Sequence, residues 1–142
     1  SGNVITAACE DAKKRGLTNL KFIKCGAEYL EKYLKENSVE RIFLNFSCPF
    51  PKSGYATHRL THKRFLESYK KLLKKDAKIY LKTDNDGFFE YPKNSFLENG
   101  FELLYVTDDL YSEDISDNIQ TEYERKFVLN NFNIHKLIAR QK

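Results

Sequence analysis

Hydrophobic residues in the first part of the chain recur at helical spacing and then in short strand-like runs. Residues 4–16 carry apolar side chains at helical spacing and end in a glycine, which predicts a helix. Residues 20–25 form a short apolar run that predicts a strand, and residues 27–35 predict a second helix. Residues 41–46 are rich in β-branched and aromatic side chains, typical of a strand buried on both faces. The order is that of a β-α-β unit.

The middle of the chain contains the clearest amphipathic segment. Across residues 62–75, aromatic and leucine side chains fall on one helical face and lysines on the other, so a helix is predicted there with Thr61 as its cap. Residues 78–83 predict the following strand. Residues 88–98 predict a helix that is interrupted near Pro92, because proline lacks a backbone donor.

Two final strands are predicted at residues 101–106 and 134–140, without a clear helix between their cores. The alternation of strands and helices predicts an α/β fold whose sheet is mainly parallel and covered by helices on both faces. The two final strands would form an antiparallel edge at the C-terminal side of that sheet. The 142 residues suit a single domain.

Three segments of this chain should meet where ligands bind in such sheets, beyond the carboxyl ends of the strands. They are the long loop 47–61, the turn 83–85 and the connection 121–124. Each also has a purely structural interpretation, because residues 83–85 are common in turns and residues 121–124 match a helix capping box. The pattern alone leaves both interpretations open.

Composition narrows the class of protein. With 41% hydrophobic and 31% charged residues, the chain has the composition of an ordinary globular protein. The apolar runs are too short for a membrane helix and the first residues show no signal pattern, so a cytoplasmic protein is expected. The three cysteines are odd in number and lack metal-ligand spacing, so neither a disulfide framework nor a metal site is predicted.

Positive charge is concentrated in one segment. The formal net charge is only +4, but lysines and an arginine crowd residues 63–75. On a helix such a run is either a solvated face or a surface that contacts phosphates. The sequence leaves both alternatives open.

Short motifs follow one another in a fixed order along almost the whole chain. They are Asn45-Phe46-Ser47, Pro49, Pro51-Lys52, Arg59-Leu60-Thr61, Phe65-Leu66, Lys82-Thr83-Asp84-Asn85, Phe89-Glu90, Thr121-Glu122-Tyr123-Glu124 and Lys126-Phe127. In these motifs the chain resembles the bacterial tRNA (guanine-N7) methyltransferases. The resemblance implies an enzyme with a Rossmann-like class I methyltransferase fold. It also implies S-adenosylmethionine as cofactor and a guanine in the tRNA variable loop as substrate.

The substrate-binding positions of that family are unchanged in this chain. They correspond to Lys52, Asp84, Thr121, Glu122, Tyr123 and Glu124. Guanine differs from adenine in its N1–H and N2 amino donors, so the carboxylates of Asp84 and Glu124 are suited to read that edge, while Lys52 suits a phosphate. Arg59, Lys63 and Arg64 are the expected contacts to the RNA backbone.

The chain departs from the family on the cofactor side. Relatives begin with a strand and a Gly-rich turn that cradle the cofactor, so residues 1–142 are expected to be a partial domain, roughly the C-terminal two-thirds of the fold without its first strands. An acid near the adenine corresponds to Gly26, and an aspartate with a catalytic or cofactor-contacting role corresponds to Cys48. Neither replaces a carboxylate as acceptor, so S-adenosylmethionine is expected to bind weakly.

Two hypotheses for function follow. The first is a divergent tRNA (guanine-N7) methyltransferase, and the alternative is a catalytically inactive homologue that binds RNA or protein. Nucleophilic catalysis by Cys48 is not predicted, because its motif offers no histidine or carboxylate partner. Sheet edges left open by missing strands would be candidate contacts for a second copy of the chain or a partner chain.

Overall fold

A four-stranded sheet forms the centre of the computed structural model, which describes residues 2–142. In chain order the helices and strands are α1 (Gly2–Lys14), β1 (Val39–Asn45), α2 (Lys63–Leu72), β2 (Leu73–Thr83), α3 (Glu90–Glu98), β3 (Phe101–Thr107), α4 (Glu122–Leu129) and β4 (His135–Gln141). Short 3₁₀ helices lie at Ala27–Lys32, Ser53–His58, Asp86–Phe88 and Leu110–Ser112.

The strand order of the sheet is β1-β2-β4-β3. Strands β1 and β2 are parallel, whereas β4 runs antiparallel to both of its neighbours. The predicted α/β class with an antiparallel C-terminal edge is therefore confirmed. Within the described residues, parallel pairing is confined to β1 and β2, so the antiparallel edge makes up more of the sheet than predicted.

The hydrophobic core lies between one face of the sheet and helices α2 and α3. Phe65, Leu66 and Tyr69 of α2 pack with alternate residues of β2, including Ile79, in a cluster that also takes Phe96 of α3. All five are almost inaccessible to solvent. Because full burial of one such apolar side chain stabilises the fold by about 1.5–3 kcal/mol, this cluster carries much of the stability. Helix α4 adjoins the opposite face at the end of β2, where Glu124 bonds to Lys82, but Phe43 on that face stays exposed, so the predicted cover by helices is partial there.

Strand β1 lies at the edge of the described sheet and is not buried on both faces, so that prediction was wrong. Its Phe43 is 57% exposed and stacks on Tyr80 of β2 at 5.0 Å between ring centroids. The apolar run in this strand correctly predicted pairing with β2. It did not indicate that the outer side of the strand has no neighbour among residues 2–142.

The strand predicted at residues 20–25 is absent, which is a second correction. Residues 17–26 have no regular helix or strand, and Leu20, Phe22 and Ile23 are partly exposed. A strand needs a neighbour to take its backbone hydrogen bonds, and no strand within residues 2–142 adjoins this segment. The helix predicted at 27–35 is shortened to the 3₁₀ helix Ala27–Lys32.

Helix boundaries follow local backbone chemistry. Helix α1 is confirmed, and Gly16 adopts the left-handed conformation (φ 65°) expected of a C-terminal stop. The cap of α2 is His62 rather than Thr61, since the His62 Nδ1 accepts the backbone N–H of Arg64 at 3.3 Å. Pro92 does not interrupt α3, because it lies in the first turn, where no backbone donor is required.

Strand β2 starts at Leu73, five residues before the predicted position 78, and follows α2 without a loop. None of the helices in residues 2–142 has the length and hydropathy needed to span a membrane.

Candidate active site

The structure brings the three predicted site segments together at one edge of the sheet. The backbone N–H of Phe46, just after β1, donates to the carbonyl of Lys82 in β2 at 2.8 Å. The Phe46 ring lies 4.8 Å from that of Tyr123 in α4. Lys82 in turn bonds to Glu124 at 2.8 Å. The loop after β1, the end of β2 and the first turn of α4 therefore form one continuous surface.

A small open cleft of about 50 Å³ lies between the loop after β1 and the end of β2. Its lining consists of Ser47, Cys48, Pro49, Arg59, Leu60, Thr61, Leu81, Lys82, Thr83, Phe88, Tyr91 and Pro92. This volume is well below that of a site that encloses a small molecule, so the cleft can hold only part of a ligand. This cleft is where a ligand would meet both the loop and the strand end.

Arg59 fastens the loop that forms one wall of the cleft. Its Nε donates to the carbonyls of Pro49 and Phe50 at 3.1 Å each, and its Nη2 donates to Phe50 at 3.0 Å. The guanidinium also lies over the Tyr91 ring at 4.3 Å. Contact of Arg59 with the RNA backbone stays a prediction. Within the protein, this side chain holds the loop in place through its hydrogen bonds to Pro49 and Phe50.

The same loop contains two residues in an uncommon backbone conformation. Phe46 and Phe50 have φ values of 52° and 46°, in the left-handed region that aromatic residues rarely adopt. Such conformations persist only where the surroundings impose them, and they concentrate at functional sites. The bonds from Arg59 to Phe50 provide one such constraint.

Asp84 presents a free carboxylate beside the cleft. The residue is half-buried at the end of β2, and among residues 2–142 none donates a hydrogen bond to its side chain. The turn that carries it is fixed by Thr83, whose Oγ1 accepts the backbone N–H of Asn85 at 3.2 Å. Asp84 is thus a rigidly placed acceptor with unused hydrogen-bonding capacity.

The basic side chains predicted to bind RNA lie on the surface around the loop. Lys52, Lys63 and Arg64 are all exposed. Farther along the basic run, three lysines pair with glutamates: Lys70 with Glu67, Lys71 with Glu31 and Lys74 with Glu40, at 3.0, 3.1 and 2.7 Å. These three lysines are paired within the protein, and contact of the basic run with phosphates stays a prediction.

The first turn of α4 is a complete capping box. Thr121 Oγ1 accepts the backbone N–H of Glu124 at 3.1 Å, and Glu124 Oε2 accepts the backbone N–H of Thr121 at 3.3 Å. Tyr123 is 48% exposed and packs between Phe46 and Phe127. Glu122 points into solvent. Of this segment, Tyr123 is the side chain that offers a surface to a ligand.

The Glu124 carboxylate is buried and fully engaged. Oε2 accepts from Lys82 Nζ as well as from Thr121, and Oε1 accepts from the Tyr111 hydroxyl at 2.7 Å and from Asn118 Nδ2 at 3.0 Å. Burial alone would raise the pKa of Glu124, but these hydrogen bonds and the charge of Lys82 outweigh it and hold the pKa below its ordinary value. Direct reading of a base by Glu124 would require one of these donors to be displaced.

Sequence reasoning missed Tyr111 and Asn118, and it took Lys82 only as part of a motif. No local spacing could reveal them, because Lys82 and Glu124 are 42 residues apart in the chain. The sole signal was a lysine directly after the apolar run at residues 79–81, because a lysine that is buried there needs a partner.

His135 is a further feature of this edge that the sequence did not indicate. It is buried at the start of β4, opposite Thr83, and packs on Phe89 at 4.9 Å. Its Nδ1 lies 3.2 Å from Asp108, and its Nε2 contacts Asp86. The histidine thereby ties the turns that follow β2 and β3 to β4. Within residues 2–142 no group of three or more His, Cys, Asp or Glu is arranged to hold a metal ion.

Comparison with known proteins establishes the family. Residues 1–137 match the model of a family described as "Putative methyltransferase". The chain belongs to this methyltransferase family. It is 41% identical over 97% of its length to the tRNA (guanine-N(7)-)-methyltransferase of Macrococcus caseolyticus, and 42% identical over 88% to that of Streptococcus thermophilus strain CNRZ 1066. It covers 66% and 59% of these relatives, less than two-thirds of either.

Solved structures agree on the fold. A methyltransferase homologue from Pyrococcus horikoshii superposes on all of this chain with a TM-score of 0.64, over 51% of its own length and at 15% identity. An rRNA methylase from Streptococcus thermophilus covers 99% of this chain with a TM-score of 0.60, over 69% of its own length and at 14% identity. At such identities the likeness shows a Rossmann-like methyltransferase fold and nothing about substrate.

The two positions for which the family resemblance predicts a cofactor role lack carboxylates in this chain. Gly26 has an extended backbone, and a Cβ built there would lie 2.7 Å from Cδ of Glu28, so the Glu28 carboxylate fills the space of a side chain at position 26. Cys48 is an exposed thiol. These two positions do not fit S-adenosylmethionine in the way that a pair of acids would.

Proposed function

We propose that this protein binds a guanine of tRNA for methylation at N7, with S-adenosylmethionine as the methyl donor. The observation that carries the proposal is the 41% identity, over 97% of the chain, to the tRNA (guanine-N(7)-)-methyltransferase of Macrococcus caseolyticus. The positions of Asp84, Tyr123 and Lys52 around one edge of the sheet support it. With tRNA as substrate, the protein would act in the cytoplasm.

Asp84 is the residue proposed to recognise the base. Its half-buried carboxylate has no donor among residues 2–142, and guanine offers two adjacent donors, N1–H and the N2 amino group. Adenine has an acceptor at N1 and no N2 amino group, so it would leave the carboxylate unsatisfied. Because a hydrogen bond to a charged group contributes about 1.5–3 kcal/mol, this contact would discriminate strongly between the two purines.

Aromatic and basic side chains around Asp84 supply the remaining contacts. The exposed ring of Tyr123, backed by Phe46, is suited to stacking on a base, an interaction of about 1–3 kcal/mol. The exposed Lys52, Lys63 and Arg64 are suited to the flanking phosphates. Their contribution should weaken as salt concentration rises.

Methylation of guanine N7 requires the protein to position the base and does not require it to transfer a proton. Guanine N7 carries a lone pair that is available for alkylation, so no general base has to act first. Holding the base in one orientation is then the main contribution of these residues. Since positions 26 and 48 lack the expected acids, we expect the affinity for S-adenosylmethionine to be low.

A methyl-transfer assay tests the proposal. Unmodified tRNA is incubated with methyl-labelled S-adenosylmethionine, with the Macrococcus caseolyticus enzyme as positive control, and N7-methylguanosine is measured by nucleoside analysis. We expect label at N7, at a lower rate than in the control, and loss of label in Asp84→Asn. The matched control is Asp76→Asn, because Asp76 is exposed and lies at the opposite end of β2.

The absence of label, under conditions in which the relative is active, would overturn the enzymatic proposal. The loss of both acids favours one specific second candidate, an inactive homologue that binds tRNA. Binding of tRNA without transfer, together with transfer gained by the double variant Gly26→Asp/Cys48→Asp, would identify the protein as that homologue.

A further inference from the structure

The ion pair between Lys82 and Glu124 lies at the centre of a buried polar cluster. The side chains of Lys82 and Glu124 are 9% and 0% exposed. An ionised carboxylate has room for about four hydrogen bonds, and Glu124 receives four, from Lys82, Tyr111, Asn118 and the backbone of Thr121. A ligand has no vacant acceptor to use on Glu124.

Three donors to Glu124 lie in the connection between β3 and α4, and the fourth, Lys82, lies in the central strand β2. Tyr111 and Asn118 lie in the segment between β3 and α4, and Lys82 also donates to the carbonyl of Ile119 in that segment at 2.9 Å. Burial and the hydrogen bond to Glu124 raise the pKa of Tyr111, so its hydroxyl keeps its proton and remains a donor. Residues 108–121, which form no long helix or strand, are thus tied to β2 through the Glu124 carboxylate and through the direct bond from Lys82 to Ile119.

The same cluster joins the two sides of the proposed guanine site. Lys82 precedes Asp84 by two residues on β2, and Glu124 directly follows Tyr123 on α4. The Lys82–Glu124 bond of 2.8 Å therefore fixes how far the base-reading carboxylate lies from the exposed aromatic ring. Displacement of α4 from β2 would separate them.

We propose that Lys82, Tyr111 and Asn118 are positioning residues that act through Glu124, holding residues 108–124 over the end of β2 so that Asp84 and Tyr123 form one guanine site. Glu124 then sets the geometry of the site and does not read the base. The binding part of this inference rests on the proposed function, whereas the structural part concerns the protein alone.

Lys82→Met tests the structural part, because it keeps the length of the side chain and removes the charge and the donors. We expect amide hydrogen exchange in residues 108–124 to become faster by about tenfold or more, while the amides of α3 and β3 keep their protection. The matched control is Lys136→Met, which removes the lysine paired with Lys82 across the sheet on β4. Lys136 makes no hydrogen bond to Glu124 in the described structure and acts on it only through its charge, so exchange in residues 108–124 should change much less than in Lys82→Met.

The pH dependence of the variant separates a charge-based role from simple loss of packing. In Lys82→Met the buried Glu124 keeps its hydrogen bonds from Tyr111, Asn118 and the backbone of Thr121. The charged group that acts on it from β4 is Lys136, which also interacts with Asp117. Without the lysine, its charge and hydrogen bond no longer lower the pKa of Glu124, so this pKa should rise, because burial favours the neutral carboxyl. The exchange defect, corrected for the intrinsic pH dependence of amide exchange, should therefore shrink as the pH falls, a recovery that a mere packing defect would not show.

Nucleotide binding tests whether Glu124 holds the site in position or contacts the base directly. The probes are guanosine 5′-monophosphate and inosine 5′-monophosphate, which lacks the N2 amino group. We expect Lys82→Met to weaken binding of both by the same factor, about tenfold, while Asp84→Asn weakens the guanosine nucleotide more and lowers the ratio of the two affinities. A lowered ratio in Lys82→Met would overturn the positioning role.

Tyr111→Phe keeps the inference testable if Lys82→Met fails to fold. It removes one hydroxyl donor to Glu124 and should raise exchange in residues 108–124 by about two- to fivefold, with the fold intact. Unchanged exchange in both variants would overturn the inference, whatever the wild type binds. A wild type that binds neither tRNA nor guanosine 5′-monophosphate would overturn the proposed function and the binding part of the inference, independently of the exchange result.

Discussion

Asp84 and Glu124 are two acidic residues at the same edge of the sheet, and they have opposite surroundings. Asp84 is half-buried and accepts no hydrogen bond from residues 2–142, whereas Glu124 is fully buried and accepts four. The first is free to bind a ligand and contributes little to the fold. The second holds a segment of the fold in place and has nothing left for a ligand. Burial and available donors, rather than residue type, divide the two roles.

Removal of the Glu124 side chain should give the largest effect. Glu124→Ala leaves the Lys82 ammonium buried without its partner, and such a change typically costs about 3–5 kcal/mol of unfolding free energy. Urea unfolding followed by circular dichroism measures it. Glu122→Ala, two residues away with a side chain that is 90% exposed, is the matched control and should stay within about 0.5 kcal/mol of wild type. Equal unfolding free energies of the two variants would show that Glu124 is not the structural acid of the pair.

Asp84→Asn should show the reverse behaviour. Because no described residue bonds to the Asp84 carboxylate, unfolding free energy should change by less than about 0.5 kcal/mol. Affinity for guanosine 5′-monophosphate, measured by calorimetry, should fall about tenfold or more, since charge-assisted hydrogen bonds are lost. A large loss of stability with unchanged nucleotide affinity would mean that Asp84 is a structural residue.

Acid should weaken the fold through Glu124. The pKa of Glu124 is lower in the folded protein than in the unfolded chain, so its contribution to stability is present above the unfolded pKa and is lost as pH falls toward the folded pKa. Unfolding free energy measured from about pH 7 to pH 3 should therefore decline more in wild type than in Glu124→Gln. Parallel declines would show that Glu124 does not contribute to acid sensitivity.

Position 26 has no carboxylate, because this chain has Gly26 there. Of the substitutions considered, one at Gly26 should change the unfolding free energy least. In Gly26→Asp the flexible Glu28 side chain must move aside, and stability should change by less than about 0.5 kcal/mol. Affinity for S-adenosylmethionine, measured by calorimetry, should rise by up to about tenfold. Gly54→Asp is a suitable control, because a Cβ there meets no atom within 4 Å. Equal affinities in the two variants would count against a cofactor role for position 26.

Sequence patterns correctly predicted the helices and strands whose buried face is marked by regularly spaced apolar residues. The amphipathic helix α2, strand β2 and the antiparallel pair β3 and β4 were all found in this way, because each has a strong apolar face or run. The convergence of the site segments followed from topology. These features depend on local spacing and on the general rule for ligand sites in α/β sheets.

The incorrect predictions concern features that depend on distant neighbours. Residues 20–25 have the composition of a strand but no adjacent strand in residues 2–142, and β1 has a neighbour on one side only. Likewise, Asp84 and Glu124 are both acids in motifs that resemble the family, and only the positions of Lys82, Tyr111 and Asn118 distinguish them. No pattern within a short window contains that information.

The 42-residue separation of Lys82 and Glu124 also has a consequence for the order of folding. The pair closes a long loop that contains α3 and β3, and closure of such a loop has an entropic cost that only the completed contacts offset. Strand β4 follows this segment in the chain, and its pairing with β2, Thr83 with His135, closes a still longer loop. Once that pairing has formed, both ends of residues 108–124 are held at the sheet, and the Lys82–Glu124 contact fastens the segment to it. We expect these residues to be the last to gain resistance to proteases during refolding, so that a newly folded chain has its sheet before it has its binding edge.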